Sequence, residues 1–348
     1  MMTSLQQVSI HISIVKSVLK TILIAVFLPA SVFAQNQGAA SATAPVGDVL
    51  GSGNYIHIVE NLDRTLAFYQ DLLGAEPNGG TEPRAFGALE PVLQMYNAVG
   101  AEFRGATIPV PNTDLGMEFL EWRGVQSPVL SPDFYDHGSP IFLLFVRDIE
   151  ASIDSVVANG GSIVTPAGEA VGTGSRFILV QDPDGYFIEI LQLVQTSSAG
   201  ISGNVVSGGF RVTVADASQT AQFYNDAFGY ELPEADEFVE DTLLGAITGL
   251  GVVRSRLVFG MVPNSNLNIE LLELVVDGEA KIHQQLPGVG SSMLRIFVRD
   301  LDVSISKALA AGAVLAANNE EAVTFGNGMR MQIIEDLDGL LLQLVQRP

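Results

Sequence analysis

Apolar and polar positions along this chain fall into one pattern that returns four times. A short apolar run ends in a polar pair, and a stripe at helical spacing follows. The four copies are "VENLDRTL" from Val59, "VRDIEASI" from Val146, "VADASQTA" from Val214 and "VRDLDVSI" from Val298. Asn61, Asp148, Asp216 and Asp300 stand at the head of each stripe. A short polar side chain there can accept from the free backbone N–H groups of a first helical turn. Leu62, Leu66, Tyr69 and Leu73 keep the helical period behind the first cap, as do Ile149, Ile153, Val156 and Val157 behind the second. Gly74, Gly160, Gly229 and Gly312 then stop the helices. Strand-like runs follow with turn residues between them: "GMEFLEW", "SRFILVQ", "SRLVFGMV" and "LNIELLELV". The pattern predicts a unit of one strand, one helix and about three further strands.

The units also repeat in pairs. "FYQDLLGAE" (Phe68–Glu76) returns as "FYNDAFGYE" (Phe223–Glu231), and "FVRDIEASI" (Phe145–Ile153) as "FVRDLDVSI" (Phe297–Ile305). "QDPDGYFIEIL" (Gln181–Leu191) returns as "EDLDGLLLQLV" (Glu335–Val345), with Gln343 in the place of Glu189. This is a tandem duplication, with one domain over 54–195 and another over 209–346. The small and polar stretches 35–53 and 196–208 read as linkers.

Before the first linker, Lys16 and Lys20 precede a short apolar run ending at Ala34. Residues 1–34 therefore read as a secretory signal peptide, too short for a spanning helix, which needs ~20 apolar residues. The expected location is the periplasm or outside the cell, with no membrane attachment after cleavage. The absence of cysteine removes both a disulfide framework and a thiol nucleophile. The 17 basic and 39 acidic residues give a net charge of −22, and loss of the leader's two lysines makes the chain more acidic still. Such a field argues against nucleic acid and anionic lipid as partners.

Four strand–helix–strand–strand–strand units, carrying "LDRTLAFYQDLLG" and "DPDGYFIEIL", resemble the vicinal oxygen chelate superfamily. Its members include glyoxalases, extradiol dioxygenases, and bleomycin- and fosfomycin-resistance proteins. The resemblance spans residues 54–346 and implies an α+β fold, with four βαβββ units paired into two cup-shaped glyoxalase-like domains. One cup is expected from each copy. Enzymes of the family take metal ligands from the first and last strands of each unit, often as His, Glu, His, Glu. The matching positions here are Asn54, Glu118, Ile141 and Glu189 in copy one, and Gly209, Glu270, Met293 and Gln343 in copy two. Both expected histidines are absent from each copy.

Copy two therefore reads as metal-free. In copy one, Asn54, Glu118 and Glu189 form an all-oxygen donor set that suits Mg²⁺, Mn²⁺ or Ca²⁺ better than zinc or iron. Glu118 and Glu189 double as candidate general bases. The alternative is that both are ordinary strand glutamates. His57 lies three positions from Asn54, on the opposite face of the same strand, and reads as a core histidine.

The same alternation places Ile56 beside Asn54, and Leu143 and Phe145 beside Ile141, as an apolar lining for a small-molecule ligand. Those side chains could equally fill the cup themselves. In copy two, Arg211 and Arg295 are expected to face one another near Glu270 and Gln343, as an anion clamp or an internal Arg–Glu network. Arg176 and Arg330 are expected to support the D-x-D-G turns. No phosphate-cradling glycine loop and no G-x-S-x-G elbow is present. Three readings stay open: a metal-dependent enzyme, a metal-free small-molecule binder of the bleomycin-resistance type, and an interaction module.

Overall fold

The structure, a computed structural model, describes residues 48–80, 84–126, 129–194, 202–316 and 321–348. The leader 1–34 and most of the linker 35–53 lie outside the described residues. The first unit comprises β1 (Val49–Val59), α1 (Leu62–Leu73), α2 (Glu90–Met95), β2 (Glu102–Pro109) and β3 (Gly116–Arg123). The second comprises β4 (Pro140–Val146), α3 (Ile149–Ala158), β5 (Ser162–Ile163), β6 (Arg176–Gln181) and β7 (Phe187–Gln192). The third runs through β8 (Val205–Thr213), α4 (Ala217–Phe228), β9 (Val239–Asp241), α5 (Thr242–Thr248), β10 (Val253–Met261) and β11 (Asn268–Val275). The fourth holds β12 (Ser292–Val298), α6 (Leu301–Ala310), β13 (Val314–Leu315), β14 (Val323–Thr324), β15 (Arg330–Glu335) and β16 (Leu341–Gln346). None of the described helices is long and apolar enough to cross a membrane.

Each unit is tied together in the same way. The side chains of Asn61, Asp148, Asp216 and Asp300 accept from backbone N–H groups of the first turn of α1, α3, α4 and α6. The first N–H of each helix also donates to a side chain at the end of its own unit's last strand. These pairs are Leu62–Glu121, Ile149–Gln192, Ala217–Glu273 and Leu301–Gln346, all at 2.7–2.9 Å. Helix termini are thereby satisfied twice over, by a cap and by the sheet.

The D-x-D-G turns clasp the helix of the preceding unit. Asp182 accepts from the backbone N–H groups of Asp184 and Tyr186 and from the Tyr69 hydroxyl, and the Thr65 hydroxyl donates to Asp184. The second copy repeats this with Asp336, Tyr224, Thr220 and Asp338. Burial pushes both Asp182 and Asp336 up to about 7, reinforced by the neighbouring carboxylate of the same turn. Arg176 and Arg330 do not serve these turns. They pair with Glu150 and Asp302 in the first turns of α3 and α6, where a carboxylate also favours the helix dipole.

The strands form two eight-stranded sheets, and their composition corrects the expected pairing of units. One sheet runs β13-β15-β16-β12-β1-β3-β2, with β14 against β15; the other runs β5-β6-β7-β4-β8-β11-β10-β9. The first unit thus joins the fourth, and the second joins the third. At the two centres β1 pairs antiparallel with β12, and β4 with β8. No cup belongs to one sequence copy alone.

The predicted linkers are also shorter than their composition suggested. Val49, Gly51 and Ser52 pair with Val298, Phe297 and Ile296, and Val205 pairs with Val146. The close packing explains the glycines there. A Cβ on Gly53 would meet the Arg295 side chain at 2.7 Å.

Alternation then sorts the side chains. Tyr55 and Val59 join Phe142, Phe210 and the helix residues Tyr69 and Tyr224 in a large shared core. Ile56, Ile58 and Met293 lie together on the other face of the first sheet, and Ile141, Leu143 and Phe145 on that of the second. His57 lies on the shared-core side of β1, 1% exposed, with Nδ1 2.8 Å from Ser292 Oγ. Burial lowers its pKa to about 4 against the pull of Asp184, so the imidazole is neutral.

Candidate functional site

Each cup has an arginine bound to carboxylate at its polar centre. In the first cup, β12 and β16 place Arg295 beside Gln343, and β1 and β3 place Ile56 beside Glu118. Arg295 donates through Nε to Gln343 at 2.6 Å and through NH1 to Glu118 at 2.9 Å. Asn54 donates to the same Glu118 oxygen at 2.7 Å. In the second cup, β8 and β11 place Arg211 beside Glu270, and β4 and β7 place Leu143 beside Glu189. Arg211 reaches Glu270 through both Nε and NH2, at 2.8 and 2.7 Å, and donates through NH1 to Glu189.

These groups are largely withdrawn from water. The Glu189 side chain is 5% exposed and that of Arg211 12%. Burial raises the pKa of Glu189; Arg211 opposes that shift and Glu270 adds to it. Burial also works against the charge on Arg211, but Glu189 and Glu270 outweigh it and hold the guanidinium firmly protonated. One cation between two carboxylates leaves an excess negative charge at this centre, whereas Arg295 and Glu118 balance.

The proposed ligand set is therefore divided. Asn54 and Glu118 share one cup, while Glu189 and Ile141 lie in the other. Arg211 and Arg295 do not face one another, because their strands belong to different sheets. Each has an apolar residue at the equivalent position of the facing unit, Ile56 opposite the Arg295 strand and Leu143 opposite the Arg211 strand. Among the described residues no three His, Asp or Glu side chains converge as a metal site. The donors present do not fit a divalent cation in either cup, because each carboxylate that would coordinate it is already paired with a guanidinium.

The rest of each cup is filled by apolar side chains, and two short helices supply part of the filling. Leu93 and Met95 of α2, with Tyr96, pack against Ile56, Met293 and Leu341 in the first cup. Leu244 and Ile247 of α5 pack against Leu143, Phe145 and Phe187 in the second. The expected lining residues thus form the cup's own core. Sequence reasoning missed both helices, although Asp241 before α5 and Gly249 after it are an N-cap and a left-handed C-cap. Phe103, Trp122, Phe297 and Phe325 pack against the first cup's apolar cluster and remain only partly buried. Trp122 stacks on Phe103 with centroids 5.0 Å apart, and its indole Nε1 has no hydrogen-bond partner.

Comparison with known proteins agrees with this architecture. The model of the Glyoxalase/Bleomycin resistance protein/Dioxygenase superfamily matches residues 53–190. A lactoylglutathione lyase of Haemophilus influenzae is 30% identical over 142 residues, which is 40% of this chain and 90% of that relative. A probable lactoylglutathione lyase of Vibrio parahaemolyticus is 28% identical over 159 residues, 44% of this chain and 100% of that relative. A solved mutant of glyoxalase I from Zea mays superposes with a TM-score of 0.56, covering 87% of this chain and 93% of that one. Its identity is 18%, so the likeness is one of fold.

Proposed function

The chain belongs to the Glyoxalase/Bleomycin resistance protein/Dioxygenase superfamily, and from that premise we propose that it is an exported protein that binds an aromatic small molecule without a metal ion. One observation carries the reading: in each cup a guanidinium, not a free set of donors, holds the carboxylates. The partly buried aromatic side chains packed against the first cup's cluster supply the recognition surface. Stacking and apolar contact suit an aromatic ligand. Residues 1–34, with Lys16 and Lys20 ahead of an apolar run, support export.

Trp122 is the chain's single tryptophan, so its emission reports on this cup alone. A panel of aromatic acids, amides and phenols titrated against the purified protein should contain ligands that saturably change that emission. The same ligands should act equally with and without chelator. A protein carrying stoichiometric metal, or one stabilised against heat by Mg²⁺, Mn²⁺, Ca²⁺, Zn²⁺ or Ni²⁺, would sink the metal-free reading.

A second reading is favoured by the names of the relatives, which are lactoylglutathione lyases: a lyase acting on lactoylglutathione, for which this chain would need a divalent cation. Glu118 and Glu189 would then be its base candidates. Both are held by arginines, which favours a fixed charge over proton transfer. Turnover of S-lactoylglutathione on addition of Zn²⁺ or Ni²⁺ would establish this second reading in place of the first.

A further inference from the structure

The two polar centres differ in one respect that bears on why the cups do not fit a metal ion. In the first cup Arg295 donates to a single carboxylate, Glu118, and to the Gln343 amide, and Asn54 donates to that same carboxylate. In the second, two carboxylates converge on one guanidinium: Glu270 on its Nε and NH2, Glu189 on its NH1. Both glutamates arise from interior strands, β7 and β11, each paired on both sides, so their backbones are fixed. Their side chains are 5% and 13% exposed, among Ile141, Leu143, Phe145 and Leu272. A buried carboxylate pair of this kind requires a cation, since neither charge can be left uncompensated in such surroundings.

We propose that Arg211 is the resident cation of a two-carboxylate site, and that Glu189 and Glu270 take up a divalent cation in its stead once its side chain is cut away. The first cup has no equivalent site, because Gln343 stands where Glu189 does. This rests on the metal-free reading above and adds its cause: the second cup excludes a metal ion because the chain supplies a cation of its own. Two carboxylates and solvent oxygens are the donor set of a hard, loosely held ion, so the probe is Mn²⁺.

The test uses the full chain with thermal unfolding in chelated buffer and in millimolar Mn²⁺. Wild type should melt at the same temperature in both. Arg211→Ala should melt below wild type in chelator and rise by ~5 °C or more with Mn²⁺. The rise should vanish in Arg211→Ala/Glu189→Gln, which copies the first cup's carboxylate count. It should be much smaller in Arg295→Ala. Should Arg211→Ala fold too poorly to melt, its soluble yield on refolding should be recovered by Mn²⁺, while Arg211→Lys, which keeps a charge, should need none.

An Arg211→Ala protein that responds to Mn²⁺ no more than wild type, or is not recovered by it, overturns the proposal and leaves the metal-free reading standing. An equal response in Arg295→Ala overturns it as well, because the carboxylate pair would then be irrelevant. Stabilisation of wild type by Mn²⁺, lost in Glu189→Gln, would overturn both.

Discussion

At the residue scale, Glu189 and its repeat partner Gln343 show how one substitution sets the electrostatics of a cup. Both accept from an arginine, but only Glu189 brings a second negative charge to the knot. Burial raises its pKa, Arg211 partly offsets this, and Glu270 adds to it. A carboxyl whose folded pKa lies above its unfolded value contributes stability at low pH. That contribution is lost as pH rises from the ordinary carboxylate range through the raised value. Glu189→Gln removes this dependence and keeps an acceptor for Arg211. Relative to wild type, the variant should therefore gain stability between pH 5 and pH 8. Urea midpoints of the two proteins across that range check it, and a parallel pair of curves would refute it. Asp182 and Asp336, which titrate near 7, and His57, near 4, slope in opposite senses but are common to both proteins and cancel.

At the scale of elements, what was legible in the sequence was what is encoded locally. Asn61, Asp148, Asp216 and Asp300 all cap helices, and the alternation along β1 and β4 puts Ile56 and Leu143 on the cup faces, with His57 turned away. Two classes of feature were not legible. The six residues of α2 and seven of α5 are too short to show a helical period, and only their ends mark them. Strand partners were the other. The units are so alike that β1 could be drawn beside β4 or β12 with the same residues opposed, so the register fits both and the pairing is decided by the whole chain. The short helices carry a measurable share of the stability. Ile247 is 3% exposed within the second cup's apolar cluster, and its truncation leaves a hole under a fixed sheet. Ile247→Ala should cost about 3 kcal/mol in urea unfolding. A cost under about 1 kcal/mol would mean that α5 is not part of the cup's core.

For the whole molecule, the exchange of units between sheets decides which chemistry the two copies can express. The helix–turn clasps Tyr69–Asp182 and Tyr224–Asp336 hold each half together, while the sheets join one half to the other through β1–β12 and β4–β8. A fragment of residues 48–201 would keep its clasp and lose both central partners, exposing the edges of β1 and β4. Exposed apolar edges of this kind seek a strand of matching register. A second copy of the fragment supplies one, since β4 is the repeat equivalent of β12, and β1 of β8. The fragment should therefore be a dimer with two identical cups. Each cup would bring Asn54 and Glu118 of one copy to Ile141 and Glu189 of the other. Ile56 and Leu143 would stand where Arg211 and Arg295 stand in the whole chain. Without a guanidinium, Glu118 and Glu189 are left to share an external cation, so Mn²⁺ should stabilise the fragment dimer while leaving the intact chain unmoved. Light scattering with chromatography gives the mass, and thermal unfolding with and without Mn²⁺ gives the response. A folded monomer would show that the edges can be covered within one half. A dimer indifferent to Mn²⁺ would show that removing the arginines does not open the cups to a metal ion.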